Sequence, residues 1–245
     1  MRVFYLLIFA FFACNSPNLF SQEYVFGVKG GLNTNSIGDI NSRGGSIAAG
    51  KADERFSPKK DISYQLGAYF MAEFKAFYIR PEFNYVSLQN HYEFPNRDAK
   101  WTTSKLEIPI LIGFKIAKPV AIYAGPSFNF FDDYQLEGVQ ATSFSDGYDL
   151  EKNTTSLNFG IMVRYNRFSV DLRYEVGTKE QVEGTPDEQV DLDINNSAFG
   201  VNLADALPYT PSMLRLSLSI DIFRTDGTSI ADLFKGNKDN CGCPY

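Results

Sequence analysis

The chain is poor in the residues on which most enzymes depend. It has one histidine, one tryptophan and three cysteines. A single histidine, His91, excludes a zinc cluster built on several imidazoles. A histidine triad would have to pair it with Asp98, the one acid suitably placed in sequence, and a surface position in a loop is the plainer expectation. No catalytic residue and no cofactor is therefore assigned, and the chain is read as non-enzymatic. The cysteines are Cys14, Cys241 and Cys243, so no disulfide framework holds the body of the chain. There is no basic excess: 23 Lys and Arg stand against 29 Asp and Glu, a net charge of -6. Nucleic acid, which needs the opposite balance, is excluded as a partner. No apolar run reaches the roughly 18 residues of a membrane-crossing helix. Sustained helical periodicity is missing too, apart from one or two amphipathic turns around 229–235 that group Ile230, Leu233 and Phe234.

Aromatics, by contrast, are abundant, at 15% of the chain. The start reads as an export leader. Arg2 supplies a positive charge, and Val3 to Ala13 (VFYLLIFAFFA) form an apolar run too short to span a bilayer. Cleavage near Ser21 or Gln22 leaves residues 1–22 as signal peptide. The alternative is lipoprotein processing at Cys14.

From Glu23 onward the chain alternates with period two. Strands are predicted at about 24–34, 61–74, 77–90, 104–116, 119–131, 154–165, 167–177 and 212–223. One face of them is apolar throughout, with Ile62, Leu66, Phe83, Ile110, Phe159 and Leu218 among its members. The other face carries charge: Lys29, Glu73, Arg80, Glu82, Glu107, Lys115, Arg164, Asp171, Arg173, Glu175, Arg215 and Asp221. A soluble sandwich would bury the apolar face. Two features argue for the reverse. The strands exceed the five or six residues usual in globular sheets, and suit a tilted bilayer crossing. Their connections alternate, short at Lys75-Ala76, Ala117-Lys118 and Asn166, and long at about 35–60, 91–103, 132–153 and 178–211. Short turns at one end and long loops at the other mark outer-membrane barrels.

The predicted fold is all-β: a closed, antiparallel, eight-stranded, up-and-down transmembrane barrel over 23–223, with a periplasmic tail at 224–245. Closure leaves no unpaired edge in the lipid. Phe74, Phe77, Phe114, Tyr165 and Phe168 would form an aromatic girdle at the short-turn end. Tyr64, Tyr85, Phe128, Phe130 and Tyr174 would form a second girdle toward the loops. Pro81, Pro109 and Pro126 are expected to make bulges or local breaks.

Three segments carry the resemblance to a known family: YVFGVKGGLNTN at 24–35, KLEIPILIGFK at 105–115 and YAGPSF at 123–128. They resemble the PorT-like outer-membrane β-barrel family, with matching order over about 24–223. The resemblance implies an outer-membrane barrel of this strand count, and some members take part in protein secretion. The residues after Phe223 depart from it, since strands of such proteins often end at the C-terminus.

The twelve charged residues are expected to fill the lumen as a salt-bridge network, because an eight-stranded barrel has little room beyond its side chains. An ion path along Arg80, Arg164, Arg173 and Arg215 is the alternative, and would make the protein a small porin-like channel. The loops read as a solvated negative surface, with Asp132, Asp133, Asp146, Asp149 and Glu151 in the third. PDEQVDLDIN offers a weak divalent site at Asp191, Asp193 and Asn195, which could bridge lipopolysaccharide phosphates, but it lacks the glycine and closing glutamate of a Ca²⁺ loop. In an oxidising periplasm Cys241 and Cys243 can bond to each other or to a partner. The partners expected are outer-membrane lipid and lipopolysaccharide, with a periplasmic or surface protein held by the long loops or the tail.

Overall fold

Residues that alternate between apolar and polar can satisfy two environments only if the backbone is extended, and eight segments do this. In the computed structural model they are β1 (Glu23–Ser36), β2 (Ser63–Glu73), β3 (Phe77–Tyr92), β4 (Ala99–Ala117), β5 (Val120–Phe131), β6 (Asn153–Tyr165), β7 (Phe168–Gly177) and β8 (Ser212–Arg224). The structure describes residues 23–42, 54–132, 135–137, 139–141, 151–180, 190–194, 199–201 and 204–226. The leader with Cys14, Asn195, and the tail with Cys241 and Cys243 lie outside them.

Each strand pairs antiparallel with its neighbour in sequence, and β8 returns to pair with β1 from Ser36↔Ser212 to Val25↔Arg224. The ring is closed, so all eight strands are paired on both sides. Three tight connections lie at one end, at 74–76, 118–119 and 166–167. The last is turned by Asn166 at a φ of 52°, a left-handed conformation that asparagine tolerates.

The prolines make no bulges. Pairs are skipped beside Pro81, Pro109 and Pro126, but the register is the same on either side of each gap. A missing N–H thus costs local ladder bonds without inserting a residue. The two register shifts lie elsewhere, at Phe26/Gly27 and at Lys115/Ala117.

Three inward tyrosines each lie against a glycine on the next strand: Tyr69 opposite Gly27, Tyr78 opposite Gly113 and Tyr123 opposite Gly160. A Cβ at any of these glycines would overlap the tyrosine ring or hydroxyl. The bare backbone lets each ring lie flat along the wall, so the ring covers exposed main chain and still reaches the lumen. Gly113→Ala is expected to destabilise the barrel by about 1–3 kcal/mol through overpacking, read as a lower urea midpoint of unfolding in micelles. A midpoint equal to wild type would show that the ring moves freely.

The loop end differs most from the sequence reading. β3 and β4 run on past the other strands, and the long loops add short strands at Ile40–Ser42, Glu54–Phe56, Val139–Ala141, Val190–Ile194 and Ala204–Ala206. These five form one sheet drawn from three different loops. Beneath it lies an apolar core that includes Ile40, Phe56, Tyr92, Phe94, Trp101, Phe199 and Met213. Phe94 sits edge-on to both Phe56 and Phe199, with centroids 4.8 and 6.1 Å away. The loops therefore fold into a cap with its own core, rather than a solvated surface alone. Tyr92, Trp101 and Met213 continue the inward rows of β3, β4 and β8, whereas Ile40, Phe56, Phe94 and Phe199 come from loop segments far apart in the chain.

Candidate functional site

The burial pattern of the barrel wall is inverted relative to a soluble protein. Arg173 and Glu82 are 1% and 3% exposed, whereas Leu218 is 58% exposed. Outward positions carry Leu, Ile, Val and aromatics on every strand, and charged side chains point to the axis. A soluble protein rarely exposes an apolar surface that runs right round it, because water would drive it to associate. Hydrocarbon is the solvent that satisfies this surface. The chain is an outer-membrane-type β-barrel. Its girdles follow at the two edges: Phe77, Phe114, Tyr165 and Phe168 face outward at the tight-turn end. Phe74 is half-buried and stacks on Phe77 at 4.4 Å. Tyr64, Tyr85, Phe128, Phe130 and Tyr174 face outward toward the loop end.

No family model matches the chain, and a search of curated proteins finds no match. Solved structures similar to it are membrane barrels. Neisserial surface protein A is 10% identical, with 80% of this chain and 96% of that one covered and a TM-score of 0.39. The outer membrane protein OprG of Pseudomonas aeruginosa is 16% identical, covering 80% and 95%, with a TM-score of 0.39. The attachment invasion locus protein Ail of Yersinia pestis, solved with the heparin analogue sucrose octasulfate, is 10% identical, covering 83% and 98%, with a TM-score of 0.38. The barrel assignment rests on this chain's own strand pairing and lipid-facing belt.

The lumen is braced by three Glu–Arg pairs, and each joins strands four places apart in the ring of eight, hence across its diameter. Glu73 on β2 meets Arg164 on β6. Glu82 on β3 takes a two-pronged contact from Arg173 on β7, at 2.8 and 3.0 Å. Glu107 on β4 meets Arg215 on β8 at 2.5 Å. Successive braces step round the ring by one strand, in order from the tight-turn end to the cap.

Each brace gathers further charges. At the lowest, Arg164 also reaches Asp221 at 2.5 Å, and Tyr69 donates its hydroxyl to that carboxylate. At the middle, Glu82 also holds Lys29 and Arg80, each at 3.0 Å. Asp171 there accepts from the Tyr123 hydroxyl at 2.5 Å and lies 3.6 Å from Arg173. At the highest, Glu175 pairs with Arg215 and, at 2.5 Å, with Lys105. Ion pairs in so dry a space need this density of partners, because each charge is costly to desolvate.

All twelve expected lumen charges stand on the inward rows. Lys115 is the last on its strand before the register shift, so it sits at the rim, where its side chain is 38% exposed and reaches Glu73 at 2.7 Å. There the barrel opens into a vestibule of about 750 Å³ lined by Glu73, Tyr78, Lys115, Arg164 and Arg224. Lys105 is a lumen cation absent from the expected set, although it stands in phase with Glu107. Tyr69, Tyr78 and Tyr123 are likewise in phase with inward charges.

Other expectations need correction. His91 lies at the end of β3, and its Nδ1 contacts Asp61 at 3.0 Å rather than Asp98, because the strand Lys59–Lys60 pairs beside it. Asp191 and Asp193 stand on an extended strand, paired with Asp205 and Gln140. That is not the curled backbone a Ca²⁺ loop requires. Among the described residues, no group of three or more His, Cys, Asp or Glu is placed to hold a metal.

Proposed function

We propose that this protein is a non-enzymatic integral outer-membrane barrel of the PorT-like type, exported through a cleaved leader at 1–22, whose role is to hold a partner. The partner is a component of a secretion or surface-assembly machine, bound by the folded cap or by residues 224–245 on the periplasmic side. The observation that carries this reading is the set of diametric Glu–Arg braces beneath an apolar cap core. A lumen filled in this way supports a platform rather than a water-filled pore, which needs more strands.

One preparation tests both halves. Refolded protein in planar bilayers is expected to give no steady single-channel currents, and the same protein purified from outer membranes is expected to lose its co-purifying partner when 224–245 is deleted or the cap loops are shortened. Steady conductance steps would favour the porin-like alternative. Unchanged partners after both truncations would remove the docking role.

A further inference from the structure

The lipid-facing wall is not even. On β5 the outward row drops from Ile122 to Ala124, which is exposed. Ile112 on β4 and Phe159 on β6 stand beside Ala124 in register, each about half exposed. The groove between them crosses three strands, from Phe114 and Ile122 to Leu157, and holds about 580 Å³. Two strand spacings across and four residues along make it about 16 Å long. That is about half the depth of a bilayer's hydrocarbon core. Phe114 belongs to the girdle at the tight-turn end, and Ile112 is one outward step from Ile110. The groove therefore lies in one half of the bilayer, on the periplasmic side if the tight turns face inward as they do in such barrels.

The wall here meets hydrocarbon, so an unfilled groove would forfeit dispersion contacts along its whole length. Its flanking strands are about 10 Å apart. That spacing, less the side chains on either side, takes one polymethylene chain, whereas a helix of about 10 Å diameter is too wide. What lies below the groove is polar. Four residues beyond Phe114, the β4–β5 turn carries Lys118, which is exposed. Tyr165, 75% exposed, stands next to that turn, where the Arg164 N–H donates to the Pro119 carbonyl at 2.9 Å. The other charges of this rim are matched: Lys115 by Glu73, Arg164 by Asp221, and Arg224 by Glu23 and Asp226. Among the described residues, Lys118 and Lys75 of the neighbouring turn have no acidic partner. The open charges at this rim are both positive.

Given the membrane reading of this wall, we infer that the groove and Lys118 together seat one glycerophospholipid of the periplasmic leaflet. An acyl chain lies over Ala124 between Ile112 and Phe159. The phosphate meets the Lys118 ammonium and accepts from the Tyr165 hydroxyl, at the depth where tyrosine ordinarily bridges hydrocarbon and water.

Full-length protein refolded in detergent micelles, mixed with dimyristoyl phosphatidylglycerol and read by native mass spectrometry, tests this. One lipid should stay bound after the micelle is stripped away. Ala124→Leu fills the floor of the groove and should abolish that adduct, while Ala68→Leu, at an outward alanine on β2, should keep it. Lys118→Gln should weaken binding by about fivefold. Dimyristoylglycerol, which has the chains without the phosphate, should bind wild type as weakly as phosphatidylglycerol binds Lys118→Gln. Inorganic phosphate should not compete. Folding of each variant is read from heat-dependent mobility on gels, and Lys118→Gln, at an exposed turn, keeps the test open even if Ala124→Leu does not fold. Lipid adducts distributed at random, and alike in wild type and every folded variant, would overturn the seat. Displacement by inorganic phosphate would overturn it too, leaving an anion site at the turn. A mature chain soluble without detergent, seen before any lipid is added, would overturn the membrane reading itself.

Discussion

Glu82→Leu is expected to cost the barrel about 3–5 kcal/mol, the range found when one partner of a buried ion pair is removed. The substitution leaves Lys29, Arg80 and Arg173 around Asp171 alone, three cations against one carboxylate in a space closed to water. Size is nearly conserved, so the loss is electrostatic. Glu73→Leu should cost less, because Arg164 keeps Asp221 as a partner and Lys115 is partly exposed at the rim and can turn to solvent. Urea unfolding in micelles, followed by tryptophan emission, measures both. If Glu82→Leu unfolds within 1 kcal/mol of wild type, the cations have other means of satisfaction and the brace is structurally idle.

Leu218→Arg is expected to destabilise the inserted barrel by about 2–4 kcal/mol, the penalty for a guanidinium near the bilayer midplane. Leu218 lies midway along the outward row of β8 and is widely exposed. Ile110 holds the corresponding place on β4, so Ile110→Arg should behave alike. Leu214→Arg sits nearer the loop end of β8, and its cost should fall to about 0–1 kcal/mol, because the side chain reaches the interface. The measurement is folding free energy in bilayer vesicles. A cost that does not depend on depth would mean that this face meets something other than hydrocarbon, and the membrane assignment would fall with it.

Strand parity made the barrel wall readable before any coordinates. Once Glu107 and Arg173 are placed inward, every second residue follows, and the eight strands come out within a few residues of their observed ends. The same parity could have found Lys105 and the three inward tyrosines. The inward face shows itself in sequence through charge, and an uncharged tyrosine in phase with it gives no such sign. Lys115 keeps the inward phase, and the register shift that follows it ends the alternation at the rim. The cap was not readable. Ile40, Phe56, Phe94 and Phe199 share no period, and no local rule says that segments so far apart in sequence build one core. The diametric pairing is different again: the sequence names the six residues, but only the closed ring says which faces which.

The placement of those braces bears on how the protein is made. Each takes its glutamate from β2, β3 or β4 and its arginine from β6, β7 or β8. Each half of the chain already carries opposite charges, with Lys29, Arg80, Lys105 and Lys115 beside the three glutamates and Asp171, Glu175 and Asp221 beside the three arginines. What neither half can form alone is a contact across the diameter, so the braces lock only as β8 closes on β1. Insertion should consequently be cooperative, with closure of the ring as the step that fixes the lumen.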